Sequence, residues 1–87
     1  MKVEFTDNFI KVFRKRYSNN RKITKAFDER LKLFSENPAS ELIHDHKLKG
    51  NKLGLRSFSV TGDIRVVYYI YESVAYFLDI GTHNQVY

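Results

Sequence analysis

The sequence contains no cysteine, a single proline and no glycine-rich loop of the kind that holds phosphate groups. Without cysteine, disulfide bonds, thiolate zinc sites and thiol nucleophiles are all excluded, so a packed core must stabilise the fold. The chain also lacks a charged-then-apolar leader and any apolar run near the ~18 residues that a membrane span needs. We therefore expect a soluble cytoplasmic protein with no membrane partner.

Apolar and aromatic residues are present in the amounts that a folded core requires. Hydrophobic residues make up 43% of the chain and aromatic residues 15%, which argues against disorder. A length of 87 residues is near the lower limit for a core that folds without cross-links, and it leaves no room for a second core. The composition therefore predicts one domain over residues 1–87.

Positive charge is concentrated in the first part of the chain. The formal net charge is +5, and 13 of the 15 Lys and Arg residues lie in residues 1–53. Between Lys11 and Lys25 there are seven basic residues and no acid. Such a run is either a solvated helix face or a surface that contacts RNA or an acidic protein.

The pattern of apolar residues predicts two helices followed by strands. Helical spacing of apolar residues covers two segments, one from an N-cap at Thr6 to about Tyr17 and one that must end near Asn37, because Pro38 disfavours helix before it. The stretch from Ala39 to Leu53 has no sustained period and is predicted to be a loop or a short helical turn. The predicted strands are 2–5, 55–60, 64–71 and 74–80.

The short connections between the last three predicted strands favour an antiparallel meander. Thr61-Gly62 and Glu72-Ser73 are too short for a parallel crossover. We therefore predict an α+β fold, in which a three-stranded meander with an N-terminal edge strand packs on a helical hairpin. Alternation places Arg65 on the open face of the sheet, and the length of the first turn decides whether Ser59 or Val60 shares that face.

The residues that can transfer protons are few. The chain has three histidines, His44, His46 and His83, and Asp63 stands at the first turn of the predicted meander. If the fold gathers His46, Asp63, His83 and Arg65 at one edge, they provide a base, an acid and a cation. Those groups suffice for metal-free RNA cleavage by attack of the ribose 2'-OH.

Two other interpretations of these residues remain open. Each histidine could be a surface or structural residue, and His44, Asp45 and His46 together with His83 could bind a metal, although the spacing is a weak signal. We predict no metal and no cofactor. The serines Ser57, Ser59 and Ser73 lack the strand-to-helix elbow of serine hydrolases.

Three stretches carry a resemblance to a known family: DHKLKG (45–50), GDIRVVYYI (62–70) and LDIGTHNQVY (78–87). In this order they resemble the RelE/ParE toxin superfamily, and specifically the YafQ-like branch of RelE-type mRNA interferases. The resemblance implies the toxin of a bacterial type II toxin-antitoxin pair, which cleaves mRNA in the ribosomal A site and is inhibited by a cognate antitoxin. It therefore implies an endoribonuclease whose partners are the ribosome, mRNA and that antitoxin.

The resemblance also implies roles for individual residues. His83 is the implied general acid, either His46 or Asp63 is the base, and Tyr87 orients the nucleotide. The sequence itself predicts a turn at Gly81, which would deliver His83 to the site. Arg65 is expected either to hold the scissile phosphate or to form an ion pair with Asp63 or Glu72 at the edge of the core. Further candidates for binding phosphate or RNA are Arg56, Lys47 and Lys49.

The sequence departs from the family pattern at two positions, and two other functions remain possible. Some members carry a histidine where this chain has Ser59 and an indole where it has Ile64. One alternative is a ParE-like toxin of the same fold that inhibits DNA gyrase by binding it. Another is an RNA-binding module without catalysis. We expect the toxin alone to be a monomer.

Overall fold

The structure is a computed structural model that describes the backbone of residues 1–87 and every side chain except that of Asn51. Five strands and three helices alternate with short turns along the chain. The elements are β1 (Lys2–Phe5), α1 (Asp7–Tyr17), α2 (Arg21–Glu36), β2 (His46–Lys47), β3 (Arg56–Ser59), β4 (Ile64–Tyr71), β5 (Val74–Thr82) and α3 (His83–Val86), with 3-10 turns at Glu41–Ile43 and Gly50–Lys52.

The strands form one sheet in the order β1-β5-β4-β3-β2. Strands β3, β4 and β5 pair antiparallel, as predicted, and β1 adds to the edge of β5 in the parallel direction. The α+β class and the N-terminal edge strand are therefore confirmed. The sheet has one strand more than predicted, because His46 and Lys47 pair with β3 inside the stretch that was expected to be a loop.

Both long helices begin at the capping residues that local chemistry favours. The Thr6 hydroxyl accepts a hydrogen bond from the Phe9 N–H at 3.2 Å and donates one to the Phe77 carbonyl at 2.8 Å, so α1 is fixed to β5 where it begins. The Asn20 side chain caps α2 in the same way, by accepting from the Ile23 N–H. None of the helices in the described part of the chain is long and apolar enough to cross a membrane.

One face of the sheet packs on α1 and α2 and forms the main hydrophobic core. Phe77 of β5 lies at its centre and is fully buried. Its ring lies within 6.3 Å, between centroids, of the rings of Phe5, Phe9, Phe27, Phe34, Phe58 and Tyr68. Because these rings and that of Phe77 come from both helices and four strands, their packing fixes the helical hairpin against the sheet.

An irregularity in β5 adapts this strand to the core. Val67 pairs with Asp79 and Tyr68 pairs with Phe77, so Leu78 is an extra residue opposite the β4 strand. Phe77 and Ile80 are three positions apart and would face opposite sides of a regular strand. The bulge turns both of them into the helix-covered core, where both are fully buried.

The turn between β3 and β4 is one residue longer than the predicted Thr61-Gly62. The Val60 N–H donates to the Ile64 carbonyl at 2.8 Å, so three residues, 61 to 63, form the turn. The resulting register pairs Ser59 with Arg65. Ser59, and not Val60, therefore shares the open face with Arg65, which the sequence had left undecided.

The predicted turn at Gly81 was wrong. Strand β5 continues through Gly81 to Thr82, and Gly81 pairs with Arg65. Side chains approach Gly81 closely, because a Cβ there would lie 2.5 Å from Arg16 Nη1 and 2.7 Å from Gln85 Oε1. The chain turns after Thr82, whose N–H donates to Gln85 Oε1 at 2.8 Å and begins α3.

Strand β5 extends beyond the end of its partner β1, and side chains of α1 cover the extra length. Asn8 Nδ2 donates to the Leu78 carbonyl at 2.8 Å, and Arg16 Nη1 donates to the Ile80 carbonyl at 2.7 Å. Arg16 also lies 3.6 Å from the Asp79 carboxylate. Backbone acceptors at this edge of β5 are thus satisfied by a helix rather than by another strand.

Candidate active site

The open face of the sheet brings four polar residues together. His46 of β2 lies opposite Ser57 of β3, and Ser59 lies opposite Arg65 of β4. Residues that are directly opposite in antiparallel strands point to the same face. The His46, Ser57, Ser59 and Arg65 side chains are therefore neighbours on the face that α1 and α2 leave uncovered.

Arg65 is at the centre of this group and is partly buried. Its Nε donates to the Ser57 hydroxyl at 2.7 Å and to the Tyr87 hydroxyl at 2.8 Å. Its Nη2 donates to the His44 carbonyl at 3.0 Å. Hydrogen bonds from three segments thus hold the planar guanidinium in one orientation, which suits it to bind a phosphate group.

His46 lies against this guanidinium. Its Nδ1 is 3.3 Å from Arg65 Nη2 and also 3.3 Å from the His44 carbonyl oxygen. A bare Nδ1 can accept from Arg65, whereas an Nδ1–H can donate to His44. In the second tautomer the other ring nitrogen, Nε2, is unprotonated and can take a proton from a substrate.

Helix α3 brings the end of the chain to the same site. Val86 is buried against Val67 and Leu48 in a small apolar cluster on the open face. This packing places the Tyr87 hydroxyl in hydrogen-bond contact with both Ser57 and Arg65. The His83 ring lies edge-on to the Tyr87 ring, with 4.3 Å between centroids.

The arrangement provides the groups that general acid–base chemistry on a phosphate needs. Arg65 is a cation held in place by hydrogen bonds, and the His46 imidazole lies on one side of it. On the other side lies Tyr87, which contacts the imidazole of His83. Both histidines are exposed, and Tyr87 keeps 37% of its surface accessible, so a substrate can reach them. Two imidazoles can supply a base and an acid near neutral pH.

Asp63, by contrast, is not joined to this group. It is exposed in the turn before β4, and its backbone N–H lies 3.4 Å from the Thr61 hydroxyl. Among the described residues, no hydrogen bond or ion pair links its carboxylate to His46 or Arg65. Burial raises the pKa of Tyr17 on the helix side, and the charge of Asp63 raises it further.

The three remaining predicted cations also lie elsewhere. Lys47 pairs with Arg56, so both side chains point to the face opposite that of His46. Arg56 is paired with Asp45, with Nη2 and Oδ2 2.5 Å apart. Lys49 is exposed at the start of the turn that follows β2. Arg56 and Arg65 therefore lie on opposite faces of the sheet, and a role for Arg56 in binding phosphate or RNA stays a prediction.

On that opposite face, Arg56 belongs to a network with Asp45 and Tyr68. Arg56 donates to Asp45 from both Nε and Nη2, and the Tyr68 hydroxyl donates to Asp45 Oδ1 at 2.5 Å. The hydrogen bond to Asp45 raises the pKa of Arg56. Burial raises the pKa of Tyr68, and the hydrogen bond to Asp45 raises it further.

Sequence reasoning missed Ser57. This serine is fully buried, and its hydroxyl contacts both Arg65 and Tyr87. The signal that could have found it is the length of the β3–β4 turn, because a three-residue turn places Ser57 and Ser59 on the Arg65 face. In the part of the chain that the structure describes, no three His, Cys, Asp or Glu side chains are close enough together to bind a metal.

Solved structures of bacterial toxins share this fold. A copper-bound mutant toxin from Helicobacter pylori superposes with a TM-score of 0.78 at 24% identity, over 100% of this chain and 99% of that one. YafQ from Escherichia coli gives a TM-score of 0.74 at 21% identity, over 99% and 97% of the chains. The toxin–antitoxin complex YoeB-YefM from Staphylococcus aureus gives 0.74 at 26% identity, over 95% and 97%.

The fold and the polar site on its open face thus define a RelE-like toxin domain. The sequence matches a family model described as bacterial toxin of type II toxin-antitoxin system, YafQ, over residues 1–87. The chain belongs to this family, as the resemblance of its three motifs had predicted. A search of curated proteins found no significant match.

Proposed function

We propose that residues 1–87 act as a single toxin domain that cleaves mRNA on the ribosome without a metal ion, and thereby inhibits translation. The observation that carries the proposal is the Arg65 guanidinium, which contacts both His46 Nδ1 and the Tyr87 hydroxyl. Together with His83 beside Tyr87, it offers one phosphate-binding cation between two groups that transfer protons.

In the proposed reaction the ribose 2'-OH of the substrate attacks the adjacent phosphorus. His46 takes the proton of the 2'-OH at Nε2, while its Nδ1–H donates to the His44 carbonyl. His83 donates a proton to the departing 5'-oxygen, so the products are a 2',3'-cyclic phosphate and a 5'-hydroxyl end. Arg65 stabilises the charge that builds on the phosphate oxygens, and Tyr87 orients the nucleotide. DNA lacks the attacking group and is not a substrate.

Asp63 has a smaller part in this scheme than the resemblance implied. Its exposed carboxylate lies at the turn before β4, away from the hydrogen bonds that join His46 to Arg65. We therefore propose His46 as the base and Arg65 as the phosphate-binding cation. Asp63→Asn should lower the cleavage rate much less than His46→Gln.

The experiment that tests the proposal is induced expression followed by primer-extension mapping of cellular mRNA. Expression should stop growth and produce ribosome-dependent cuts. His83→Gln should reduce the cutting about 100-fold or more, because it removes the general acid. Asn84→Gln, a change in the neighbouring exposed residue, is the matched control and should cut normally. Cleavage should persist in EDTA in a reaction whose ribosomes remain intact.

The alternatives predict different outcomes. A gyrase inhibitor of the same fold would give supercoiling defects with intact mRNA. If the chain were an RNA-binding module without catalysis, the His83→Gln variant would inhibit growth as well as the wild type does. Either result would contradict the proposed nuclease.

We also propose that a cognate antitoxin inhibits this toxin. The Escherichia coli DinJ-YafQ complex, whose toxin chain is 21% identical, is a relative of this kind. A groove of about 480 Å³ beside α1 and α2 is lined by Phe5, Ile10 and the partly buried Phe13, and so fits a segment with apolar side chains. Antitoxin binding should therefore weaken less steeply with salt than binding to RNA.

A further inference from the structure

The loop that carries His46 has an unusual backbone that must be stabilised by its surroundings. His44 adopts a left-handed conformation, with φ at 49° and ψ at 49°. A non-glycine residue adopts this conformation uncommonly, and the conformation is retained where neighbouring contacts enforce it. The next residue, Asp45, makes such contacts, and the one after it is the proposed base.

The His44 carbonyl, which this conformation aims at the open face, serves two groups of the site. It accepts from Arg65 Nη2 at 3.0 Å and lies 3.3 Å from His46 Nδ1. A single backbone oxygen therefore orients both the proposed phosphate-binding cation and the tautomer of the proposed base. Any displacement of this oxygen changes both contacts together.

Asp45 is held firmly on the other side of the sheet. Arg56 donates to it twice, at 2.5 and 3.1 Å, and the Tyr68 hydroxyl donates to it at 2.5 Å. Only 13% of the Asp45 side chain is accessible. Tyr68 is itself buried in the main core, where its ring lies 5.0 Å from that of Phe34. The loop is thus anchored to the buried aromatic core.

We propose that Asp45, held by Arg56 and Tyr68, is a positioning residue that fixes the His44 carbonyl and thereby orients Arg65 and His46 on the opposite face. The proposal deepens the proposed function and rests on it. Among the described residues, no hydrogen bond joins Asp45, Arg56 or Tyr68 to His46, Arg65 or Tyr87. Their effect passes through the backbone of residues 44–46.

The test compares Asp45→Asn with Asp28→Asn, the same chemical change at an exposed position of α2. Two readouts are made on each variant. The first is the single-turnover cleavage rate and the substrate affinity on a programmed ribosome. The second is the NMR spectrum of the free protein, with the tautomer of His46 read from its ring nitrogen shifts and the mobility of Arg65 read from its guanidinium exchange.

Asp45→Asn should cleave about 10- to 100-fold more slowly at nearly unchanged affinity, because the reacting groups are misplaced rather than lost. In its NMR spectrum, His46 should show a mixture of tautomers and Arg65 faster rotation, while the His83 signals stay as in the wild type. Asp28→Asn should match the wild type in both readouts.

A second variant keeps the test decisive if Asp45→Asn fails to fold. Tyr68→Phe removes only the hydroxyl and leaves the ring packed on Phe34 and Phe58. It should reproduce the same changes more mildly. Folded variants with unchanged His46 and Arg65 signals would overturn the proposal, whether or not cleavage falls.

The cleavage assay tests the proposed function, and the NMR spectrum tests the positioning role of Asp45 independently of it. A wild-type protein that cuts no RNA would contradict the nuclease. The tautomer of His46 and the exchange of Arg65 would still decide whether Asp45 positions them.

Discussion

The two faces of the sheet use alternate residues of the same strands, and they differ in what a buried side chain contacts. Ser57 and Phe58 are adjacent in β3, and both are completely buried. Phe58 packs among the rings of Phe34 and Phe77 on the helix side, whereas Ser57 bonds Arg65 and Tyr87 on the open side. Two adjacent residues of β3 thus lie one in the hydrophobic core and the other in the candidate site.

Because of this difference, we expect some substitutions to change stability without acting on the site and others to change activity without unfolding the protein. The helix-covered face holds the aromatic core, and the open face has only the small cluster of Leu48, Val67 and Val86. Changes to the aromatic core of the first face should unfold the protein, and changes to the polar residues of the second should alter activity at nearly constant stability.

The largest effect is expected from Phe77→Ala, at the centre of the helix-covered face. Loss of a fully buried ring should reduce the free energy of unfolding by about 3–5 kcal/mol, as measured by urea denaturation. Phe5→Ala is the matched control, since Phe5 pairs with Phe77 in the sheet but keeps 41% of its surface exposed. If both variants lost stability equally, the burial of Phe77 at the centre of the core would not be the cause of the loss.

Gly81→Ala should affect both faces, with a smaller loss. The new methyl group would collide with Arg16 Nη1 and with Gln85 of α3, so both of these side chains must move, at a cost of about 1–3 kcal/mol. Cleavage should fall as well, because α3 carries His83. Gly62→Ala, where a Cβ meets nothing within 4 Å, is the control, and equal melting temperatures for the two variants would refute the close-approach argument.

Tyr87→Phe should act on the open face alone. It removes the hydroxyl that contacts Arg65 and Ser57, and it should slow cleavage about tenfold, or ~1.4 kcal/mol, with the melting temperature nearly unchanged. Tyr71→Phe changes a hydroxyl on a side chain that is 61% exposed and should cut normally. A Tyr87→Phe variant that cleaves normally but unfolds more easily would assign Tyr87 to packing.

The smallest effect is expected on the stability of the protein in alkaline solution. The pKa of Tyr68 is raised in the folded protein, so the unfolded chain releases this proton first, near pH 10. The contribution of protonated Tyr68 to the free energy of unfolding is therefore fully present below about pH 10. Above about pH 10 it decreases by up to ~1.4 kcal/mol per pH unit. Urea unfolding of the wild type should weaken more steeply above about pH 10 than that of Tyr68→Phe, and parallel curves would contradict this.

Most of the fold could be predicted from the sequence because it depends on local patterns. Both helices have continuous apolar stripes and capping residues, and the three long strands alternate between short turns. Strand β2 escaped prediction because its two residues, His46 and Lys47, are too few to show a period. The role of Gly81 escaped because it depends on Arg16, which is distant in sequence.

The site was predicted less completely than the fold. Four of the eight residues named from the sequence, His46, Arg65, His83 and Tyr87, are brought together by the contacts described above. The contribution of Ser57 and the separate location of Arg56 both follow from the register of β3, which the length of one turn determines. A one-residue change in that register exchanges the two faces of the strand, so residue patterns alone could not assign them.

The side chains by which α1 covers the free edge of β5 have a consequence for how this protein meets other copies of itself. An uncovered strand edge offers carbonyl groups to which a strand of another chain can bind, and it is a common start of aggregation. Asn8 and Arg16 occupy the Leu78 and Ile80 carbonyls, and the charge of Arg16 faces any incoming strand. The strand that leads into α3 is thereby protected from intermolecular sheet extension while the protein accumulates.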